Sequence, residues 1–439
     1  MSRFFSGPIR RALVIENPHP ELDELLRRGG FEVVRVDKTP QEDQLIDLLT
    51  RHRTQVLFKR SRAEVSARVL DAAEDLVAVQ LCSIGDDSVD KAAAARRGVL
   101  VFNDPVSNGR SVVELVVGHL VGLSRRLYET YADTHQGIWD KGQVERYEVR
   151  GKVLGVVGLG NIGRAVARVA EQLGLRVLFH DTRGVAKEVG LEMGWESVSS
   201  LDSLFRASDI VTLHLSATDA WGESNAGRIT GDLLMALGAD RPEDSPRLFI
   251  NLSRGFLHST EDLLAAIAAG KIRRAAVDVY PDEPAGNGPG WANPYAKEPR
   301  VMTTPHIGAA TQEAQPRIAR RVAQTMQRFA DHGDIRDCVY SPRTVISLAD
   351  DHHAGRAVLQ VVHSTTRGTK KALDDAIYEA DASNLASHHE DFEAWGLAVD
   401  VSLIDRPLSE SQLRAIAERT TKLTGDANAV RVVRQIIAG

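Results

Sequence analysis

The sequence is short of cysteine, of long hydrophobic runs and of excess positive charge. It contains two cysteines, Cys82 and Cys338, in 439 residues, too few for a disulfide framework or a cysteine-rich metal centre. No apolar stretch reaches the roughly 20 residues that a membrane-spanning helix needs. The N-terminal segment also lacks the apolar core of a secretory signal. These absences predict a cytoplasmic protein without a membrane partner, in which Cys82 is a buried small hydrophobe rather than a nucleophile.

The charge balance and length narrow the class of protein further. The formal net charge is -6, and the basic residues are scattered along the chain rather than gathered in one run. We therefore expect no nucleic-acid partner. A hydrophobic content of 43% and a charged content of 26% are ordinary for a folded protein. A chain of this length is expected to form two or three domains.

Two segments alternate apolar runs with helical patterns, as parallel doubly wound sheets do. The first has predicted strands at residues 12–16, 31–36, 55–58, 76–81 and 99–102. The second begins at Lys152 and has predicted strands at residues 153–157, 176–180, 209–215, 247–251, 275–280 and 301–304. The amphipathic segment 110–135 between them is interpreted as one long connector. A helix at 311–331 would return the chain to the first domain, and the active site would lie in the cleft between the two domains.

The tail has a different order of elements. Strand, helix, strand, strand, helix and strand are predicted at residues 357–363, 369–380, 383–389, 394–403, 410–423 and 429–434. This βαββαβ order is ferredoxin-like and predicts a small antiparallel sheet with helices on one face. The predicted boundaries are a discontinuous first domain (1–109 and 308–340), a second domain (110–307), a linker (341–355) and a C-terminal domain (356–439). Two aspartates and two histidines at 350–353 could bind a metal, but a solvated linker is favoured, so no metal site is predicted.

A glycine-rich turn, Gly158-Leu159-Gly160-Asn161-Ile162-Gly163, follows the first strand of the second domain. Gly158 and Gly160 let the backbone turn tightly and approach a pyrophosphate, and Gly163 lets the next helix pack closely. Asp181 ends the next strand, about 20 residues on, where a carboxylate accepts hydrogen bonds from a ribose 2′-OH and repels a 2′-phosphate. We therefore predict NAD rather than NADP, although Arg183 weakens this preference. The alternative is a glycine turn that binds no nucleotide.

Three polar residues follow predicted strands of the same domain: Arg254, Glu283 and His306. A histidine suits proton transfer because its ordinary pKa lies near neutrality. Glu283 could fix the tautomer of His306 and stabilise its charged form, while Arg254 offers a planar fork to a substrate carboxylate. Each residue alone has an ordinary structural explanation, but together in one nucleotide-binding domain they predict a hydride-transferring enzyme that acts on a small-molecule substrate.

The chain resembles the D-isomer-specific 2-hydroxyacid dehydrogenases over nearly its whole length. The matching stretches are residues 95–98, 101–103, 107–112, 137–141 and, most specifically, His306-Ile307-Gly308-Ala309-Ala310-Thr311-Gln312-Glu313-Ala314-Gln315. The resemblance implies that His306 is the proton donor, Glu283 its acidic partner and Arg254 the substrate arginine. It implies cofactor contacts from Asn161, Ile162, Asp181, Leu252, Ser253, Asp278 and Gly308.

The resemblance is strongest to the branch of the family that oxidises D-3-phosphoglycerate to 3-phosphohydroxypyruvate at the start of serine synthesis. By that resemblance, Ser83, Ile84 and Gly85 would bind the substrate carboxylate through backbone N–H groups. Lys38, Arg60, Ser61 and Arg62 could neutralise a phosphate or a second carboxylate. The alternative for Arg60 and Arg62 is a solvated basic turn. Asn108 is a further predicted substrate residue, and Trp139 and Lys141 would reach a neighbouring subunit's site in a homotetramer.

The tail resembles an ACT domain, which often binds an amino-acid effector at a subunit interface. His363, Thr365 and Asn384 fall on the effector positions, but Thr365 stands where an asparagine is expected and Arg367 replaces a proline. A threonine offers one hydroxyl in place of an amide's two-sided pairing, so we expect serine inhibition to be weakened, altered or lost. Two alternatives for the whole chain stay open. One is a dehydrogenase for 2-hydroxyglutarate, glyoxylate or hydroxypyruvate, and the other is a non-catalytic NAD-sensing corepressor.

Overall fold

The computed structural model of the chain describes residues 2–219, 223–284, 288–340, 346–349 and 355–437. The acidic and histidine residues at 350–353, for which a metal site was considered, lie outside the described residues. The chain forms two compact units, one made of Met1–Ser107 and Gln315–Gly439 and the other of Asn108–Ala314. The predicted domain boundaries stay a prediction.

The first unit opens with a five-stranded parallel sheet. Its strands are β2 (Arg11–Ile15), β3 (Glu32–Val36), β4 (Val56–Lys59), β5 (Ala78–Leu81) and β6 (Leu100–Phe102), preceded by a separate strand β1 (Arg3–Phe5). The helices between them are α1 (Glu21–Arg28), α2 (Glu42–Arg51), α3 (Ala67–Ala72) and α4 (Lys91–Arg97). The strand order is β3-β2-β4-β5-β6, which is doubly wound as predicted.

The second unit contains a seven-stranded parallel sheet. It comprises α5 (Gly109–Ser124), α6 (Leu127–His135), β7 (Val153–Val157), α7 (Asn161–Gln172), β8 (Arg176–His180), α8 (Gly184–Glu192), β9 (Glu196–Ser197), α9 (Leu201–Ala207), β10 (Ile210–Leu213), α10 (Gly231–Ala236), β11 (Leu248–Asn251), α11 (Thr260–Ala268), β12 (Arg274–Val277) and β13 (Val301–Thr303). The order β13-β12-β11-β10-β7-β8-β9 is that of a Rossmann sheet with an added edge strand. The connection direction reverses between β7 and β10, and ligands bind in the crevice at such a point.

The expected single connector at 110–135 is wrong in one respect. The segment is two helices, because Arg126 takes a left-handed conformation with φ of 55° between α5 and α6. Apolar residues of α5, among them Val116 and Leu120, are fully buried in the core of the second unit. Helix α5 is therefore a packed part of that unit, and the chain changes direction only after its last residue, Ser124.

The first unit resumes at Gln315, the second residue of α12 (Ala314–His332), and the apolar face of this helix packs into the core of the N-terminal sheet. The C-terminal elements are β14 (Ala357–His363), α13 (Thr369–Glu379), β15 (Asn384–Phe392), β16 (Leu397–Ile404), α14 (Glu410–Thr424) and β17 (Val430–Ile437). This is the predicted βαββαβ order, and the β14, β15, β16 and β17 pairings are antiparallel. One face of the sheet packs under α13 and α14.

The C-terminal sheet has a fifth strand that the sequence pattern did not predict. β1, near the N-terminus, pairs in parallel with β17 at the edge of this sheet. The other face of the sheet, represented by Val399 and Val401 of β16, lies in the same hydrophobic core as the N-terminal sheet. A three-residue strand has no periodicity to detect, so pairing between the two ends of the chain could not be predicted.

Two further expectations concern the cysteines and membrane spans. Cys82 and Cys338 are free thiols, and burial raises the pKa of each thiol to about 12. A thiol of this kind is a poor nucleophile at neutral pH, as expected for Cys82. Among the described residues, no helix is long and apolar enough to span a bilayer.

Candidate active site

The glycine-rich turn joins β7 to α7 in the conformation that a pyrophosphate site needs. Gly158 has φ of 89°, and a Cβ there would lie 2.6 Å from the carbonyl oxygen of His214. A Cβ on Gly163 would overlap the carbonyl oxygen of Gly158, so both positions exclude a side chain. The backbone N–H groups at the start of α7, at Asn161 and Ile162, lie at the helix end where a phosphate is bound in such turns. The turn therefore fits a dinucleotide phosphate.

Asp181 follows β8 and is held firmly in place. Its Oδ2 accepts a hydrogen bond from the backbone N–H of Leu159 at 2.7 Å, which ties the acid to the glycine turn. The Arg183 guanidinium donates to both carboxylate oxygens, at 3.0 and 2.8 Å. Burial by itself would raise the pKa of Asp181, but these hydrogen bonds and the Arg183 charge lower it. The residue therefore presents an ionised acceptor suited to a ribose hydroxyl.

His306 and Glu283 are joined by the shortest polar contact of the predicted catalytic set. The distance from His306 Nδ1 to Glu283 Oε2 is 2.6 Å. Because a carboxylate only accepts, Nδ1 carries the proton and Nε2 is left to exchange one with a substrate. The hydrogen bond to Glu283 raises the pKa of His306, against partial burial. Partial burial by itself would raise the pKa of Glu283, but the hydrogen bond and charge of His306 lower it.

The segment after β13 holds His306 in an uncommon backbone conformation. Its φ is 52°, a left-handed value that non-glycine residues adopt at a cost in free energy. The buried carboxylate of Asp278 fixes the segment, because it accepts hydrogen bonds from Thr304 Oγ1 (2.6 Å), Ile307 N (2.9 Å) and Gly308 N (2.8 Å). Burial raises the pKa of Asp278. Asp278 therefore positions His306, a role that the sequence pattern did not assign to it.

Arg254 lies in the turn after β11. The Asn251 side chain organises that turn, since its amide donates to the carbonyl of Arg254 and its oxygen accepts from Ser253 N. Gly255 comes next, and a Cβ there would overlap the main chain of Tyr280. Close approach at Gly255 brings the Arg254 turn against the loop that carries Glu283. The charge of Arg254 accordingly lowers the pKa of both His306 and Glu283, as a smaller contribution.

Sequence reasoning missed three residues that build this site: Asn251, Gly255 and Tyr280. The backbone N–H of Tyr280 donates to Glu283 Oε1 at 3.1 Å, and its hydroxyl donates to the carbonyl of Thr304 at 3.0 Å. Tyr280 thus links the loop of the acid to the segment of the histidine. The signal was present in the order Arg254-Gly255, because a glycine directly after a functional residue often marks a close backbone approach.

The predicted substrate residues of the first unit all follow strands of the N-terminal sheet at its carboxyl edge. Lys38 follows β3, Arg60, Ser61 and Arg62 follow β4, and Ser83, Ile84 and Gly85 follow β5. Lys38, Arg60 and Arg62 are exposed. Since β2 lies between β3 and β4, Lys38 begins about 10 Å from the Arg60 loop. The Ser83 loop is ordered by Asn103, whose amide donates to the carbonyl of Ile84 at 2.7 Å.

The predicted substrate residues of the second unit differ in exposure. Asn108 precedes α5 and is buried. Its side-chain oxygen has no hydrogen-bond partner among the described residues. Trp139 is 82% exposed, and Lys141 beside it is exposed as well. An exposed tryptophan of this kind is typical of a contact made with another molecule.

The predicted effector residues do not come together within one chain. His363 pairs with Ala398 at one end of β16, whereas Asn384 pairs with Ile404 at the other end. The two positions are therefore about 20 Å apart along the strand. His363 is buried and Thr365 is exposed. An effector that contacts both His363 and Asn384 would need a second copy of the sheet.

Comparison with known proteins places this arrangement in a family. A family model described as D-isomer specific 2-hydroxyacid dehydrogenase, NAD binding domain, matches residues 117–308. D-3-phosphoglycerate dehydrogenase 2 of Saccharomyces cerevisiae is 31% identical over 428 residues, covering 94% of this chain and 86% of the relative. D-3-phosphoglycerate dehydrogenase of Escherichia coli K12 is 33% identical over 405 residues, covering 92% of this chain and 94% of the relative.

A solved structure with the same fold is the D-lactate dehydrogenase of Aquifex aeolicus, complexed with NAD and lactic acid. Its TM-score is 0.62 at 22% identity, and the match covers 75% of this chain and 99% of that chain. The chain belongs to the D-isomer-specific 2-hydroxyacid dehydrogenase family. It is an NAD-dependent dehydrogenase, so the predicted family, fold class and cofactor are confirmed.

Proposed function

We propose that this enzyme oxidises D-3-phosphoglycerate to 3-phosphohydroxypyruvate with NAD, the reaction that begins L-serine biosynthesis. The observation that carries the proposal is the 2.6 Å hydrogen bond between His306 and Glu283 in a unit that fits NAD and also contains Arg254. The names of the Saccharomyces cerevisiae and Escherichia coli relatives support this substrate. The roles of individual residues in this reaction are part of the proposal.

In this reaction NAD, when bound, accepts the hydride from C2 of the hydroxy acid. Nε2 of His306 takes the proton of the C2 hydroxyl during oxidation and returns it in the reverse direction. Glu283 stabilises the imidazolium that results, through the hydrogen bond to Nδ1. Arg254 binds the carboxylate next to the reacting carbon and polarises the carbonyl that forms. Cofactor contacts come from the Gly158 turn, Asp181, Leu252, Ser253, Asp278 and Gly308.

The positive charge of the first unit supports a substrate dianion. Arg60 and Arg62, with Lys38 and Ser61, are proposed to bind the phosphate, since a dianion needs more compensating charge than a simple hydroxy acid does. The backbone N–H groups of residues 83–85 are proposed to bind the carboxylate, and Asn108 is proposed as a further substrate contact. Lys59, directly before Arg60, is fully buried and donates to the carbonyl of Arg60 at 3.0 Å, which orders the start of this loop.

Initial rates of NADH formation test the proposal. D-3-phosphoglycerate is compared with D-glycerate, 2-hydroxyglutarate and D-lactate, of which D-glycerate differs only by the missing phosphate. A clear preference in kcat/KM for D-3-phosphoglycerate supports the proposal. Preference for another acid would leave the fold and the cofactor intact but refute the substrate. No turnover with any of the four would favour the non-catalytic sensor.

A double variant, Arg60→Gln with Arg62→Gln, tests the phosphate contacts directly. The preference for D-3-phosphoglycerate over D-glycerate should fall by at least about tenfold, because each charge-assisted hydrogen bond contributes about 1.5–3 kcal/mol. Arg68→Gln is the matched control, since Arg68 is an exposed arginine nearby that pairs with Glu42 and Asp43 instead. A preference that survives in the double variant would assign Arg60 and Arg62 to a solvated turn.

We further propose that the enzyme is a cytoplasmic homotetramer in which Trp139 and Lys141 complete a neighbouring subunit's site. The 82% exposure of Trp139 supports this proposal. Light scattering gives the oligomeric state, and Trp139→Ala should lower kcat/KM in the intact oligomer. Unchanged kinetics in that variant would leave Trp139 without a role in catalysis.

The C-terminal sheet is proposed to be an ACT-like domain that binds an amino-acid effector. The βαββαβ order supports this, and the separation of His363 from Asn384 requires two copies for one complete site. Thr365 and Arg367 are proposed to weaken or abolish the response to serine. Strong inhibition of the purified enzyme by micromolar serine would refute that last proposal.

A further inference from the structure

A cavity lined by four arginines lies in the first unit, and its lining residues are not among those assigned to catalysis or substrate binding. Arg3 comes from β1, Arg96 and Arg97 from the last turn of α4, and Arg431 from β17. The lining is completed by Asn428 and Val430, and the cavity volume is about 70 Å³. A cavity of roughly 10–15 Å³, measured in the same way, holds one water molecule, so this cavity has room for a small polyatomic ion.

The elements around the cavity are held in fixed relation. The Arg3 guanidinium donates to the carbonyl oxygens of Arg97 and Glu74, both at 2.8 Å, and to that of Leu76 at 2.5 Å. Gly98, directly after α4, has φ of 65°, and a Cβ there would overlap the side chain of Val432 on β17. The C-terminal end of α4 therefore packs closely against β1 and β17. The four arginines lie on these packed elements rather than on loops.

The positive charge in the cavity is poorly compensated. Within the described ranges, Asp71 is the one carboxylate within 4.0 Å of these guanidinium groups, at 3.7 Å from Arg97 Nε. Glu74 and Asp75 act on Arg3 from farther away. The carbonyl end of α4 carries a partial negative charge and compensates the arginines in part. Part of that end is already used, because Arg3 donates to the carbonyl of Arg97.

Two buried N–H donors of these guanidinium groups also have no hydrogen-bond acceptor among the described residues. They are the Nε atoms of Arg3 and Arg97. Burial, assisted by the charge of Arg97, lowers the pKa of Arg3 to about 10, so the group remains charged near neutral pH. An anion in the cavity would compensate this charge, and planar guanidinium groups match the oxygens of a tetrahedral oxyanion.

We propose that this cavity binds a small oxyanion of the phosphate class, either inorganic phosphate or the phosphate group of a phosphorylated metabolite. The bound anion bridges the arginines of helix α4, which precedes β6 of the N-terminal sheet, and those of β1 and β17 in the C-terminal sheet. Binding to the folded chain therefore stabilises this junction by mass action. The site is distinct from the loop after β4 that is proposed to bind the substrate phosphate.

Isothermal titration calorimetry of the full chain with inorganic phosphate, at ionic strength fixed with sodium chloride, tests the proposal. We expect saturable binding that weakens by at least about tenfold in the Arg96→Gln, Arg431→Gln double variant, since charge-assisted hydrogen bonds are lost. Phosphate should also raise the Tm of the wild type by more than that of the double variant. Arg28→Gln is the matched control, because Arg28 likewise lies in the last turn of a helix. It should bind as the wild type does.

The substrate loop is the competing location, so the Arg60→Gln, Arg62→Gln variant is titrated in parallel. Retention of the phosphate affinity there, with its loss in the Arg96/Arg431 variant, supports the cavity. Loss only in the Arg60/Arg62 variant, or equal affinity in the wild type and the Arg96/Arg431 variant, overturns the proposal. Methyl phosphate separates the two sources: tighter binding than inorganic phosphate indicates a phosphate ester, and weaker binding indicates the free ion. None of these measurements depends on turnover.

Discussion

Replacing Glu283 by glutamine tests the proposed mechanism most directly. The substitution keeps the size of the side chain and an oxygen that can accept from His306 Nδ1, but it removes the negative charge. In the wild type the Glu283 carboxylate accepts a 2.6 Å hydrogen bond from His306 Nδ1, and this contact is the main cause of the raised pKa of His306. The glutamine variant therefore isolates the electrostatic part of the pair.

The expected loss follows from the strength and exposure of this contact. A hydrogen bond to a charged group contributes about 1.5–3 kcal/mol, which corresponds to about 10- to 100-fold in rate. The His306 side chain is 53% exposed and that of Glu283 34% exposed, so water screens the pair. We expect the lower part of the range in kcat, with a smaller change in KM because Arg254 still binds the carboxylate.

The pH dependence of kcat is the most specific test of this pairing. Oxidation requires neutral His306, so the wild-type rate falls as pH decreases through the raised pKa of the histidine. In Glu283→Gln that pKa falls, and the acidic limb of kcat should move to lower pH. In the reverse direction protonated His306 is required, so the alkaline limb should also move to lower pH. Asp282→Asn, at the exposed neighbouring residue, is the control. An unshifted profile with kcat within about twofold of the wild type would refute the acid–base pairing.

Three further predictions concern positions whose packing or charge the structure defines. Gly255→Ala should lower the free energy of unfolding by about 1–3 kcal/mol in urea titrations, since its Cβ overlaps main chain, whereas Gly184→Ala, with nothing within 4 Å, should not. Burial lowers the pKa of Lys59 to about 8 in the folded protein. Because the unfolded chain then binds more protons above that pH, stability should rise from pH 8 to 10 in the wild type relative to Lys59→Met. Asp181→Ser should lower kcat/KM for NAD by about tenfold and raise that for NADP, because Arg183 is released from its carboxylate partner; unchanged coenzyme preference would contradict it.

The sequence was sufficient for the parts of the fold and site that depend on local pattern. Strands β7 and β8 have the predicted bounds, because buried parallel strands are short apolar runs bounded by turns. Arg254, Glu283 and His306 could be grouped because the carboxyl ends of parallel strands meet at one edge of a sheet. This rule needs the positions of the strands but no knowledge of side-chain contacts.

Contacts between distant segments could not be predicted in this way. Nothing in the sequence around Arg3 indicates pairing with β17, since the preference appears only when the two chain ends are placed together. The break at Arg126 was hidden because both sides of it have good helical patterns. The function of Asp278 as the acceptor for the His306 segment likewise depends on a folded loop. Tertiary geometry decides such features, and local propensity does not.

The position of the C-terminal sheet defines how a ligand bound to that sheet would act on the rest of the first unit. Val399 of β16 and Leu57 of β4 belong to one hydrophobic core, so a shift of the sheet must be accommodated by close-packed side chains. β4 and β5 lead directly to the loops after Lys59 and Leu81, where substrate contacts are proposed. A ligand that moves or rigidifies this sheet therefore has a physical connection to those loops through the shared core, without involving the segment 341–355. Val399→Ala should accordingly change the response of KM to any effector more than kcat, because the core is loosened while His306 and Glu283 are untouched; an equal change in kcat would argue against this route.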